Sequence, residues 1–260
     1  MLPISIHMQS AKEVVRHFAF TLGGAGFLDR RRERAGLGTA HLTEATVEGR
    51  FASIYRNGIW KMSEDQASLS GSGSELAATA GVREGLARIL ADLGCKTLVD
   101  VGCGDWTWMR HVPLDCDYVG VDIVPEVIAT NGVHATDRVR FLVLDAIRAP
   151  LPPADVVLCR EVLFHLSFKD GLSVLRNICR SSTHLIATTD ATWFNSDIRT
   201  GDFRMLNLRR RPFGLPAPLL SVPDDSVAPR RMLGVWSTDA VAGALAKTSA
   251  SVSPTRPRAP

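Results

Sequence analysis

Residues 97–122 read TLVDVGCGDWTWMRHVPLDCDYVGVD. An apolar run from Thr97 to Val101 carries one acid, Asp100; two glycines follow one residue apart, Gly102 and Gly104; a second apolar run closes on Asp122. A strand, a tight glycine loop and a second strand bring backbone N–H groups to the carboxyl edge of a parallel sheet, where ligands of such folds bind. The dinucleotide pattern G-x-G-x-x-G is incomplete, because Thr107 stands at its last position with Trp106 before it. No G-K-[ST] follows, so a phosphate-cradling Walker loop is excluded.

Outward from this stretch the pattern repeats. VRFLVLD at 139–145, DVVLC at 155–159 and HLIATTD at 184–190 join TLVDVG at 97–102 and DYVGVD at 117–122 as near-continuous Val, Leu and Ile runs, the composition of strands buried on both faces. Pro125 opens a helix after the second run, and SFKDGLSVLRNICR at 167–180 predicts a capped helix between the fourth and fifth. Upstream, SGSELAATAGVREGLARILADLG at 72–94 predicts a helix with a capping box at Ser72 and Glu75, a stripe of Leu86, Ile89, Leu90 and Leu93, and a stop at Gly94. PLLSVPD at 218–224 and RMLGVWS at 231–237 are two further strands. The fold class is α/β, a parallel sheet with helices on both faces.

The acids decide what the loop holds. Asp100, Asp122 and Asp145 come to one edge of the sheet, and their summed field opposes a diphosphate and favours a cation. S-adenosylmethionine suits this edge: it carries a sulfonium and an ammonium, has no phosphate, and offers ribose hydroxyls and an adenine amine as donors. Asp122 accepts from the ribose, Asp145 from the adenine amine, and Ile123 and Ile147, with Ala146 beside them, sandwich the ring. Gly102 and Gly104 let the backbone approach the methionine tail, Trp106 forms a wall, and Asp100 orients the loop through backbone N–H groups.

With VDVGCGD, YVGVDIVPEVI, FLVLDAI and ADVVLCREVLFHLS in this order, the chain resembles the class I S-adenosylmethionine-dependent methyltransferases over about residues 50–240. GDWTWM, CREVLFHLS, DIRTGDFRMLNLRRRPFGLPAP and RRMLGVW are similar to a bacterial subgroup of them. The resemblance implies a Rossmann-like, seven-stranded, mostly parallel sheet whose last strand is antiparallel, with the cofactor over the first strand. In that frame Cys159, Arg160 and Glu161 follow the fourth strand and face the transferred methyl group, and Cys159 counts with the cofactor site. Glu161 or His165 takes a proton from an acceptor hydroxyl. The polar segment 195–213 folds over the transfer site, where Arg204 holds an acidic group of the acceptor. YRNGIWKMSEDQASLSGSGS at 55–74 is a second lid with Trp60 as its aromatic cover. The expected function is methyl transfer to an oxygen of a small, hydroxylated or anionic acceptor. A non-catalytic S-adenosylmethionine-binding or scaffold protein and an NAD-dependent oxidoreductase are the alternatives.

Composition narrows the setting. At 260 residues and a net charge of +3, the chain can bury a full core. Residues 1–50 form an extension with one helix near Ala11 to Phe20, 51–245 the methyltransferase domain, and 246–260 a disordered tail rich in Ser, Pro and Arg. The apolar stretch from Phe18 to Leu28 is broken by Thr21 and three glycines and is too short to span a membrane. DRRRER at 29–34 and RRR at 209–211 lack interleaved aromatics, which argues for solvated surface over nucleic-acid binding. Five scattered cysteines with no C-x-x-C pair read as reduced thiols of a cytoplasmic protein, with no metal site.

Overall fold

The computed structural model describes residues 38–250. Seven strands form one sheet: β1 (Thr97–Val101), β2 (Asp117–Asp122), β3 (Val139–Val143), β4 (Ala154–Cys159), β5 (Ser182–Thr189), β6 (Leu220–Pro223) and β7 (Met232–Ser237), in the order β3-β2-β1-β4-β5-β7-β6. The pairings from β3 through β5 are parallel, while β7 runs antiparallel to both β5 and β6. That reversal follows from chain length: the connection from Pro223 to Met232 is too short for a crossover, so β6 and β7 close as a hairpin. The order turns back between β1 and β4, and ligands of open α/β sheets bind outside such a switch point.

Alternate residues of each central strand feed opposite cores. Val99, Val119, Val157 and Leu185 pack with Val174, Leu175 and Ile178 on one face. Leu98, Tyr118, Val156 and Ile186 pack with Val82, Leu86, Ile89 and Leu90 on the other. The first set belongs with α4 (Phe168–Ser181) and α5 (Thr238–Ala250), the second with α2 (Ala80–Asp92). Burial on both faces is why these strands read as unbroken apolar runs. Each fully buried aliphatic side chain contributes about 1.5–3 kcal/mol to holding the layers together.

Helix ends follow local chemistry. Ser167 caps α4 by accepting from Asp170 N at 3.1 Å, Pro125 opens α3 (Pro125–Asn131), and Gly94 at φ +61° turns the chain after α2. The capping box expected at Ser72 and Glu75 does not form. Residues Ser72–Ser74 make one 3-10 turn, Glu75 Oε1 is taken by Ser68 N at 2.7 Å, and α2 starts only at Ala80. Helix α1 (Val47–Arg56), capped by Thr46, crosses the expected boundary at residue 50, and α5 runs through the one expected at 245 as far as Ala250. The helix expected near Ala11 to Phe20, the DRRRER run and residues 251–260 lie outside the described residues.

Candidate active site

The loop after β1 is tied down by β2. Gly102 N and Cys103 N both donate to Val121 O, at 2.8 and 3.1 Å, and Gly104 N donates to Asp122 Oδ2 at 3.1 Å. Asp122 Oδ1 accepts from Val124 N at 3.0 Å, and Asn131 Nδ2 holds Gly104 O at 2.7 Å. Gly102 and Gly104 adopt φ of +71° and +57°, the left-handed region that other residues enter only at a cost. Asp122 thus holds the loop, the part expected of Asp100. Asp100 instead accepts from the Tyr118 hydroxyl at 2.7 Å.

Beyond the loop lies a cavity of about 120 Å³. Asp100, Asp122 and Asp145 all border it, with Gly102, Gly104, Ile123, Ala146 and Ile147. Asp145 Oδ1 accepts from Ile147 N at 2.9 Å, which fixes the turn that presents Ala146 and Ile147. Burial pushes the Asp100 carboxyl up to about 7 and that of Asp122 to about 6. Two buried acids lifted by desolvation beside one cavity are stabilised in their charged form by a cationic ligand and not by a phosphate. The family model for the methyltransferase domain matches residues 99–183.

The chain carries a methyltransferase domain.

Solved structures that this methyltransferase resembles include the N-methyltransferase NodS from Bradyrhizobium japonicum WM9, 13% identical, where 63% of this chain covers 98% of that one at a TM-score of 0.49. Magnesium protoporphyrin IX methyltransferase from Synechocystis PCC 6803, solved with bound S-adenosylmethionine, is 17% identical over 58% of this chain and 80% of that one, at a TM-score of 0.41. The sugar N-methyltransferase KedS8 from Streptoalloteichus sp ATCC 53650 is 20% identical over 49% and 56%, at 0.37. No curated protein sequence matches the chain significantly.

On the far side of the methyltransferase cavity, the turn after β4 carries Arg160 and Glu161. Glu161 sits at φ +58°, and its backbone N–H is held by Thr188 Oγ1 at 2.9 Å. A non-glycine residue in this conformation marks a position the surroundings over-determine. The surroundings are ionic: Glu161 Oε1 meets Arg231 Nη1 at 2.7 Å, Arg231 Nε meets Asp190 at 2.9 Å, and Arg160 pairs with Asp224 at 2.8 and 3.0 Å. His165 lies across from this network. Its Nδ1 donates to the Asp202 carbonyl at 2.9 Å, and its ring stacks on Trp60 with centroids 4.8 Å apart. Burial lowers its pKa to about 4, against the opposing pull of the Asp202 carbonyl and the Glu161 charge.

The lid that brings Trp60 over His165 is fastened to the glycine loop. Asp105 Oδ2 accepts from Ser68 Oγ at 2.9 Å, Leu69 N at 2.6 Å and Ser70 N at 3.3 Å, while Asp105 N donates to Ser70 Oγ at 3.0 Å. Ser70 Oγ also shares a 3.0 Å hydrogen bond with the Tyr55 hydroxyl of α1. One acid of the loop therefore anchors three consecutive lid residues.

Several expected site residues lie elsewhere. Trp106, at φ +57°, turns its ring away from the cavity onto Tyr118, Phe141 and His134, and Trp108 lines the cavity in its place. Cys159 is fully buried in the core under α4, where desolvation raises its thiol pKa, and its side chain does not border the cavity. Arg204 is buried against the turn before α4: Nη1 donates to Leu166 O at 2.7 Å, Nη2 to Leu163 O at 3.4 Å, and the guanidinium covers Phe168. Its guanidinium meets backbone carbonyls and an aromatic face and does not line the cavity. Segment 195–213 packs beside the cavity without lining it, and positions His165 through Asp202. The sequence reading missed Phe51, Tyr55, Ser70, Asp105 and Trp108. Only Asp105, an acid directly following Gly104, carried a local signal.

Proposed function

We propose that the methyltransferase transfers the sulfonium methyl group to an oxygen of a small molecule, with His165 taking the proton. The observation that carries this reading is the imidazole: a carbonyl can only accept, so Nδ1 bears the hydrogen and Nε2 of the neutral ring keeps its lone pair. Bound S-adenosylmethionine supplies the electrophilic methyl. Asp122 would hold its ribose hydroxyls and Asp145 its adenine amine, between Ile123 and Ile147, with Ala146 along the ring edge. Gly102 and Gly104 offer a wall without side chains to the methionine tail, and Asp100 faces that tail.

Acceptor chemistry follows from proton affinity. An imidazole with a pKa of about 4 cannot take a proton from an ammonium, whose pKa is near that of lysine at about 10. It can take one from an oxygen that grows strongly acidic as its bond to the methyl carbon forms. Glu161 is committed to Arg231 at 2.7 Å, which leaves His165 as the proton acceptor. Trp60 and Phe51 exclude water around the reacting atoms, and alignment supplies most of the acceleration. The catalytic unit on this reading starts with α1, ahead of residue 51. Among the described residues no helix is long and apolar enough to cross a membrane, and five free cysteines support placement in the cytoplasm.

Calorimetric titration with S-adenosylmethionine and NAD, followed by a labelled-methyl screen over hydroxylated small molecules, tests the proposal. We expect S-adenosylmethionine to bind and an O-methyl product to form. His165→Ala should slow that transfer by about 100-fold or more with cofactor affinity unchanged. Tight NAD binding without a response to S-adenosylmethionine, or a product methylated only on nitrogen, overturns the reading.

A further inference from the structure

Cys95 and Cys116 meet at the end of the sheet opposite the cavity. Cys95 follows α2, Cys116 precedes β2, and both side chains are buried in the core beneath that helix, 6% and 5% exposed. Parallel register brings them together: Thr97 stands opposite Asp117, and Asp117 N donates to Lys96 O at 2.9 Å, so the residues just ahead of each strand are neighbours. Adjacent strands lie about 4.8 Å apart, and a disulfide spans Cα atoms about 4.4–6.8 Å apart. The two thiols share a hydrogen bond. Solvent is one residue away along the chain in both directions, since Gly94, Lys96, Asp115 and Asp117 are all exposed.

The pair is asymmetric. Its hydrogen bond to Cys116 holds the Cys95 proton well above the ordinary thiol range, while Cys116 is drawn below that range by Cys95 and then by the Arg138 charge. A thiolate is the nucleophile in sulfur chemistry, and a low-pKa thiol beside a second thiol is the arrangement that oxidises reversibly. Burial pushes the other three thiols up instead, Cys179 to about 11. We propose that Cys95 and Cys116 form a redox pair in which the Cys116 thiolate attacks hydrogen peroxide and Cys95 closes the disulfide. The Cys116 sulfur bonds to one peroxide oxygen as the O–O bond breaks, giving a sulfenic acid and hydroxide. The Cys95 sulfur then displaces the sulfenic hydroxyl, which leaves as water with the Cys95 hydrogen. In sum the two thiols lose two hydrogens and two electrons, and one peroxide becomes two waters. The bond closes residues 95–116 into a ring that holds β1, Gly102 and Gly104, so oxidation staples the strand that carries the glycine loop. Neither cysteine lines the cavity, and the pair needs neither cofactor nor acceptor.

Hydrogen peroxide added to the reduced full chain, followed by alkylation, trypsin digestion and mass spectrometry, reads the link directly. We expect peptides 89–96 and 111–138 to appear joined before Cys103, Cys159 or Cys179 changes, and to separate again with dithiothreitol. The linked chain should melt about 5–10 °C above the reduced one. Cys95→Ser should leave Cys116 as a sulfenic acid that dimedone traps, whereas Cys116→Ser should give neither the link nor dimedone labelling at Cys95. Peptides that stay separate after peroxide, a first oxidation at another cysteine, or dimedone labelling of Cys95 in place of Cys116 overturns the assignment. A linked chain that melts level with the reduced one overturns the staple.

Discussion

His165 keeps its lone pair because Trp60 lies over it at 4.8 Å. Phe164 and Phe203 close other sides of the ring, Arg231 adds a positive charge that disfavours protonation, and Glu161 and Asp202 pull the other way. Desolvation is the largest of these influences, and the indole is one of the rings that bury the imidazole. Trp60→Ala should move the acid limb of kcat from about 4 upward toward the ordinary histidine value of about 6.5. Rates measured from pH 4 to 8 check this; an unmoved limb would mean that Trp60 only shapes the acceptor pocket. Residue positions were legible where they were local. Asp100, Gly102, Gly104, Asp122 and Asp145 announce themselves because parallel register carries each strand's last residues to one edge. Trp106 and Trp108 could not be told apart, since what separates them is a φ of +57° at Trp106. The task of Arg204 was equally hidden: its carbonyl partners at 163 and 166 are neighbours only in space.

Among the elements, the lid between α1 and α2 depends on one side chain. Asp105 Oδ2 collects three donors from Ser68, Leu69 and Ser70, and losing hydrogen bonds to a charged acceptor costs about 1.5–3 kcal/mol. Asp105→Ala should therefore free this segment while leaving the sheet intact. Amide exchange at Leu69 and Ser70 should accelerate and cofactor dissociation should quicken, with the strand amides as protected as before. Exchange that speeds up throughout the chain would instead make Asp105 a global support. The core elements were readable from composition: β1 to β5, α3, α4 and the β6–β7 hairpin stand close to where apolar runs and caps placed them, and α2 keeps its apolar stripe and its stop at Gly94 but not its start. The lid was not. Its serines and glycines look like linker, and the expected capping box failed because Glu75 was wanted by Ser68 N, a competition no periodicity reveals.

For the molecule as a whole, the cavity that prepares the reaction weakens the fold. A carboxyl whose folded-state pKa is raised to about 7, as at Asp100, holds its proton more tightly folded than unfolded. Its contribution to stability is present in full below the ordinary carboxylate range and is lost as pH rises through about 7. Asp100→Asn, which can still accept from Tyr118, should therefore melt above the wild type at pH 8 and level with it near pH 4, in the absence of cofactor. A gap of equal size at both pH values would assign the gain to something other than the charge. The seven strands and the reversed β7 followed from the resemblance, whereas the chain of charges from Asp190 through Arg231 and Glu161 to Arg160 and Asp224 joins turns far apart in sequence and left no trace in any single motif. Helix α1 carries a last consequence. It lies outside residues 99–183, yet Val47, Phe51 and Tyr55 wall the cavity. A graft of the matched segment alone would carry the acids of the donor chamber without the roof that keeps them dry. Wet, Asp100 and Asp122 would titrate as ordinary surface carboxylates, and the transplanted motif would keep its spelling and lose the burial that lifts both acids.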